Sequence, residues 1–228
     1  MKIPKKLFSK SFFGKFKDRV LDIRGIMSKT RIAVFVSGGG TNLQALIDAE
    51  KRGEIPSGEI ALVLSNSPSA YALERAKTAG IKSAVVSKKE LGSQEAFEEK
   101  VVEILAEEKI DLIVLAGFMS ILTKSFTDRY PERMINIHPS LIPSFCGKGY
   151  WGLHVHEAAL EKGVKVTGAT VHFVNEIPDG GKIIMQKAVE VKEGDTPEIL
   201  QRRVMEEAEW IILPRATEKV AREMLEKA

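Results

Sequence analysis

The sequence predicts the α/β class: a mostly parallel, twisted sheet with helices on both faces. Two observations carry this expectation. Short apolar runs of strand length alternate with longer stretches of helical periodicity, and glycine or polar turn residues stand where the runs end. Ile32–Val36 is the first strand, stopped by Gly38, Gly39 and Gly40, and Leu43–Ala49 begins the first helical pattern. Ile60–Leu64 is the next strand, and Ala70–Ala79 follows as a helix with Gly80 as its C-terminal stop. Ser83–Val86 is a weaker strand. Ser93 precedes a helix over Gln94–Glu108, where Ala96, Phe97, Val101, Ile104 and Leu105 recur at helical spacing. Asp111–Leu115 and Met134–Ile137 read as buried strands, and Leu153–Leu160 as a helix. Val166–Val174 and Lys182–Val191 are two more strands, joined around Pro178-Asp179-Gly180-Gly181. Thr196-Pro197-Glu198 opens a last helix, with Thr as cap and Pro at the first position, and Pro214 is expected to break or kink it.

With 228 residues, 44% hydrophobic and 29% charged, the chain reads as globular, with residues 30–228 forming one domain. Residues 1–29 differ from this body: they hold nine Lys/Arg against two Asp, leaving 25 basic and 29 acidic residues beyond them. The net charge of +3 is therefore +7 on the head and −4 on the body, and nucleic-acid binding is not indicated there. Phenylalanines among the lysines give the head a partly amphipathic pattern, compatible with a membrane-surface helix or an arm for an anionic partner. The expectation is a disordered or loosely docked extension, with Met27 an ordinary beginning. No apolar run approaches a membrane span. A lone cysteine, Cys146, rules out an intramolecular disulfide and a cysteine-cluster metal site, which fits a cytoplasmic protein.

In open parallel sheets, ligands bind beyond the carboxyl ends of the strands. Three segments fall there: the glycine run, Gly117, and Asn136 with His138. Gly38-Gly39-Gly40-Thr41-Asn42 follows a strand and opens a helix, so free N–H groups and the helix dipole can attract a phosphate. The third glycine of a dinucleotide fingerprint is replaced by Leu43, and the lysine of a Walker loop is absent. A single phosphate is the better reading, with a plain glycine turn as the alternative. Asn136, His138 and Asp179 supply an amide for an oxyanion, an imidazole for proton transfer and a carboxylate to orient it. Taken singly, each also reads as a cap, a structural histidine or a turn former. No serine or cysteine stands beside them as an obvious nucleophile, which suits acyl transfer to a substrate that brings its own, such as an amine. His154 and His156 lack a third ligand at a recognisable spacing, so no metal is expected.

Ser37–Gln44, Leu115–Met119, Asn136–Pro143 and His172-Phe173 with Asp179-Gly180-Gly181 together resemble, in order and spacing, the folate-dependent formyltransferases. The likeness runs from about Arg31 to Pro214 and is greatest to the branch whose acceptor is glycinamide ribonucleotide. It implies a Rossmann-like formyltransferase fold and transfer of the formyl group of 10-formyltetrahydrofolate to the acceptor's amine, in de novo purine biosynthesis. The folate is then a co-substrate, with no tightly bound cofactor. The partners implied are small molecules, without nucleic acid or a membrane span, in a monomer or homodimer.

Carried over position by position, Gly40, Thr41 and Asn42 hold the ribonucleotide's phosphate, while Met119, Ser120, Ile121 and Leu122, with Gln94 and Asn136, meet the folate. Ser120 and Gln94 stand where arginine is frequent, which weakens contacts to the folate's acidic tail. A substrate-binding Glu on the last helix is Glu209 when counted back from Pro214, whereas a count from Arg203-Val204 lands on Ala208. Thr170 and His172 match positions near the site. The implied mechanism has Asn136 and protonated His138 stabilise the oxyanion while Asp179 supports the charged imidazole. Ser144–Gly152 is longer than the usual turn, and Gly147, Gly149 and Gly152 give it the freedom of a lid. Pro139 after the histidine argues against the tRNA-directed and hydrolytic branches. A 10-formyltetrahydrofolate hydrolase and a non-catalytic folate- or nucleotide-binding module remain the alternatives.

Overall fold

Alternate residues of β1 (Thr30–Val36) face opposite ways, and both sets are buried: Ile32, Val34 and Val36 on one side, Ala33 and Phe35 on the other. A strand apolar on both faces belongs inside a sheet covered by helices on each side. The computed structural model, which describes residues 29–227, shows this arrangement. The further strands are β2 (Gly58–Ser65), β3 (Ser83–Val85), β4 (Leu112–Leu115), β5 (Met134–His138), β6 (Val166–Phe173) and β7 (Ile183–Glu190). They form one sheet of order β3-β2-β1-β4-β5-β6-β7. β1 to β5 pair in parallel, whereas β6 runs antiparallel to β5 and β7 to β6.

One helical layer contains α1 (Thr41–Lys51), α2 (Ala72–Ala79), α6 (Leu153–Lys162), α7 (Pro197–Val204) and α8 (Trp210–Lys227), whose Leu46, Leu200 and Val220 share a core cluster. The other contains α4 (Gln94–Glu107), with Phe97, Val101 and Leu105 facing the sheet. Two short helices, α3 (Lys88–Leu91) and α5 (Lys124–Thr127), were not expected, because four residues are too few to show a helical period. The expected cap is present, Thr196 Oγ1 accepting from the Ile199 N–H at 3.3 Å, and Ser93 Oγ caps the helix it precedes by accepting from the Ala96 N–H at 3.0 Å. Of the expected basic head, all but Lys29 lies outside the described residues.

Pro214 does not end the last helix. A π turn over Met205–Glu209 leads into α8, which continues through the buried Pro214 to Lys227. A proline ring strikes the carbonyl four residues back, here that of Trp210, the first residue beyond the π turn. The clash therefore falls where the hydrogen-bond ladder is already changing register, and apolar packing of Leu213, Ala216 and Val220 holds the helix together beyond it.

The sheet order places its reversal between β1 and β4, the crevice where open α/β sheets bind ligands. The loops leaving these two strands are tied together there, the Met119 N–H donating to Ser37 Oγ at 2.8 Å. The packing beneath is tight: Phe97 is fully buried between α4 and the sheet. Phe97→Ala is expected to cost about 3–5 kcal/mol in urea unfolding; a loss under about 1 kcal/mol would contradict that packing.

Candidate active site

Asn136 and His138 lie two residues apart on β5 and so share one face of the sheet. The antiparallel pairing sets His172 opposite Asn136 and Thr170 opposite His138. Thr170 is wholly buried and structural in its contacts: its hydroxyl donates to Ser140 O at 2.7 Å and accepts the Ile142 N–H at 3.1 Å. Asp179 arrives from the β6–β7 connection in a left-handed conformation, φ 57°. An added Cβ on Gly181 would lie 1.7 Å from Phe173 O, so only glycine lets this turn close on the end of β6.

The turn delivers the carboxylate between the β5 side chains. His138 Nδ1 is 3.4 Å from Asp179 Oδ2, and Asn136 Nδ2 is 3.4 Å from Asp179 Oδ1. A carboxylate only accepts, so Asn136 must turn its NH₂ toward Asp179. The same NH₂ lies 3.1 Å from His172 Nε2, which also faces Asp179 Oδ1 at 3.5 Å. On the other side of the ring, His172 Nδ1 donates to Phe173 O at 2.7 Å.

His138 donates from Nε2 to Phe145 O at 2.9 Å, which leaves Nδ1 toward Asp179. Burial lowers the His138 pKa, outweighing the upward pull of Asp179 and of the Phe145 carbonyl. In the substrate-free site, desolvation thus favours the neutral imidazole. Burial alone would raise Asp179, but the neighbouring His172 and His138 and the Gly147 N–H, 2.8 Å from Oδ2, hold it below the usual carboxylate range.

Phe145 and Gly147 belong to the long loop after Pro143. They act through main-chain atoms, with φ of 48° and 86°. Such contacts leave no side-chain signature, and the run of glycines was their only sequence trace. Cys146 in the same loop bonds Pro143 O at 3.3 Å, and burial pushes its thiol pKa up, away from the reactive thiolate.

Beside the triad lies an open cleft of about 540 Å³, lined by Phe118, Ser120, Ile121, Leu122 and Asn136 and by the segment ending in Asp179. Apolar walls from Leu115, Phe118, Ile121 and Leu122 face polar edges from Ser120, Asn136, Asn175 and Glu176, which suits a flat ligand with a polar rim. Ser120 Oγ accepts from Asn66 Nδ2 at 2.7 Å, and Gln94 Nε2 reaches Ile121 O at 3.2 Å from the rim. The Met119 side chain is exposed and does not line the cleft.

At the other end of the crevice, Gly40 caps α1 with φ 72°. Asn42 Nδ2 donates to Glu209 Oε2 at 2.6 Å, which ties the glycine loop to the π turn. Ala208 is fully buried in the core, so of the two counts along this helix it is Glu209 that faces the loop. A π turn accommodates one residue more than an α-helical path, the physical counterpart of that one-residue offset. Thr41 lines a shallow depression with Arg202, Met205 and Trp210. His154 pairs with Glu157 at 2.8 Å on the surface, and His156 is buried in α6. Among the described residues no group of three His, Cys, Asp or Glu side chains could hold a metal.

The sequence pattern of the formyl transferase family matches residues 30–217. The chain belongs to the formyl transferase family. It is 44% identical over 184 residues to the phosphoribosylglycinamide formyltransferase of Haemophilus influenzae, covering 81% of this chain and 84% of that one. It is also 46% identical over 194 residues to the trifunctional purine biosynthetic protein adenosine-3 of Gallus gallus, covering 85% of this chain but spanning only 19% of that longer protein. The crystal structure of glycinamide ribonucleotide transformylase 1 from Symbiobacterium toebii superposes with a TM-score of 0.80 at 43% identity, over 86% of this chain and 89% of that one. The Rossmann-like formyltransferase fold is thereby established for this chain.

Glu209 is 4% exposed, and burial pushes its pKa from 4.5 up to about 7 against the opposing bond from Asn42. Its folded pKa lies above its unfolded one, so the folded chain keeps a proton that the unfolded chain releases. Stability is then lost as pH rises from about 4.5 to about 7, by up to about 3 kcal/mol. In urea unfolding of the substrate-free protein, Glu209→Gln is expected to exceed the parent at pH 8 by an amount of that order and to match it at pH 4. An equal difference at both pH values would contradict the buried, titrating carboxyl.

Proposed function

We propose that the chain transfers the formyl group of 10-formyltetrahydrofolate to the amine of glycinamide ribonucleotide, a step of de novo purine biosynthesis. The observation that carries this reading is the Asn136–His138–Asp179 cluster, closed at 3.4 Å between a largely apolar cleft and a glycine loop at a helix N-terminus. The ribonucleotide's phosphate sits on Gly40, Thr41 and Asn42, with Glu209 toward the ribose. The folate, a co-substrate rather than a tightly bound cofactor, lies along Met119–Leu122 with Gln94 and Asn136 at its edges. The substrates are small molecules. Nucleic acid has no part in this reading; the assembly is a monomer or homodimer, and the compartment is the cytoplasm. Residues 30–228 act as a single catalytic domain.

The reaction begins when the acceptor amine attacks the formyl carbon, turning its oxygen into an oxyanion. Asn136 is the donor there: its contact to Asp179 is long enough to be shared with a new acceptor. As the C–N bond forms, the amine's proton passes to His138 Nδ1, directly or through a water. Neutral imidazole can accept it because burial keeps its pKa low. The imidazolium is then stabilised by ionised Asp179 on one side and the Phe145 carbonyl on the other. Collapse of the oxyanion breaks the bond to the folate nitrogen, which takes up the proton, leaving tetrahydrofolate and the formylated amide.

The test follows the folate absorbance change when purified protein meets 10-formyltetrahydrofolate with and without glycinamide ribonucleotide. Release that requires the ribonucleotide, with formyl on its amine, supports the transferase. Release without it makes the chain a hydrolase, and binding of both ligands without release makes it a binding module. His138→Ala and Asp179→Asn are each expected to lower kcat by about 10²–10⁴-fold. Near-parental turnover in folded variants would remove these residues from the mechanism.

A further inference from the structure

Two consecutive carbonyls of the glycine loop are tied back onto α2. Gly38 O accepts from the Ala72 N–H at 3.0 Å, and Gly39 O accepts from Arg75 Nε at 2.8 Å. Both peptides are trans; among the described residues the cis bond is Ile142-Pro143. In a trans peptide the N–H points opposite to its own C=O. Anchoring these two carbonyls therefore turns the Gly39 and Gly40 N–H groups away from α2, and neither has a protein acceptor among the described residues. Successive free N–H groups on one side of a turn make an anion-binding concavity.

Arg75 is itself held in place. Its Nη1 donates to Gln44 Oε1 at 3.0 Å, Gln44 Nε2 is held by Asp48 at 2.9 Å, and the guanidinium lies 5.1 Å from the centroid of the Tyr71 ring. The fit is close, because an added Cβ on Gly40 would meet Ala72 Cβ at 2.6 Å and Arg75 Cδ at 3.4 Å. Two residues beyond Gly40, Asn42 is buried, and its Oδ1 has no partner among the described residues.

We propose that Arg75 is a positioning residue for the acceptor substrate: by holding the Gly39 carbonyl it presents the loop's N–H groups to the substrate's phosphate. The inference rests on the reading above, in which this loop holds a phosphate. A purely structural arginine linking α2 to α1 would affect stability alike with or without a phosphate on the acceptor. A positioning arginine changes only what the phosphate contributes.

Arg75→Ala is expected to raise the KM for glycinamide ribonucleotide about 10-fold, the scale of a charge-assisted hydrogen bond, with kcat and the folate KM changed less than about 2-fold. Arg75→Lys keeps the charge but not the fork that spans Gly39 and Gln44, and is expected to fall between the two. With the dephosphorylated glycinamide nucleoside as acceptor, parent and Arg75→Ala should have equal kcat/KM. An unchanged ribonucleotide KM, or the same penalty with the nucleoside, would overturn the proposal while leaving the transferase reading intact. Inorganic phosphate binding, followed by phosphorus NMR line broadening, tests the loop without any turnover. Weaker binding by Arg75→Ala upholds the proposal even if the transferase reading fails, and equal binding, or none by the parent, overturns it.

Discussion

Asp179 carries a negative charge where little water reaches, and the arrangement around it follows from that constraint. A buried carboxylate without partners costs several kcal/mol, so each of its oxygens must be met. Oδ2 takes the Gly147 N–H and faces His138, while Oδ1 faces the Asn136 amide and His172. These partners come from β5, the end of β6 and the loop after Pro143, so the carboxylate is tolerated only when three separate segments arrive together. The antiparallel pairing of β6 with β5 is what makes this feasible. It sets His172 directly across from Asn136 and leaves the chain to turn back at Phe173, within reach of the same cluster.

The same logic, with less compensation, operates at Glu209. One hydrogen bond from Asn42 does not offset full burial, and the carboxyl keeps its proton until about neutral pH. The π turn that presents it replaces regular helix geometry at the point where the C-terminal helix faces the glycine loop. Uncompensated burial and irregular helix thus coincide at one residue. Local costs of this kind are carried by the surrounding packing, here the apolar cluster of Leu200, Ala208, Ile212 and Leu213.

Much of this was legible in the residues. The alternation of β-length runs and helical patterns defined the sheet and its layers, because burial on both faces leaves an almost continuous apolar run, as in β1 and β4. Asn136, His138 and Asp179 could be picked out as an ensemble, although 43 residues separate the amide from the carboxylate that it contacts. Other features were not legible. The protonation state of His138 depends on how completely its neighbours exclude water, which no local sequence records. The roles of Phe145 and Gly147 lie in carbonyl and amide groups that every residue possesses. Of the two outcomes expected at Pro214, a break does not occur, because the rule that a proline ends a helix assumes a regular α-helical turn before it, and here that turn is π.

The glycine loop and the cleft beside Asn136 leave adjacent strands, β1 and β4, and the bond from the Met119 N–H to Ser37 Oγ joins them at their roots. On the proposed reading, two ligands held by loops with a common anchor are brought to a fixed separation, with Asn136 and His138 on the next strand, β5. Fixing that separation matters because the enzyme offers no covalent relay. In the proposed transfer, amine and formyl carbon must come into contact directly within one cleft. Orientation of this kind can supply on the order of 7–11 kcal/mol of a barrier, more than a single positioned acid–base group. On the proposed reading the triad moves a proton and holds a charge, while the sheet's reversal between β1 and β4 determines whether the reactants meet.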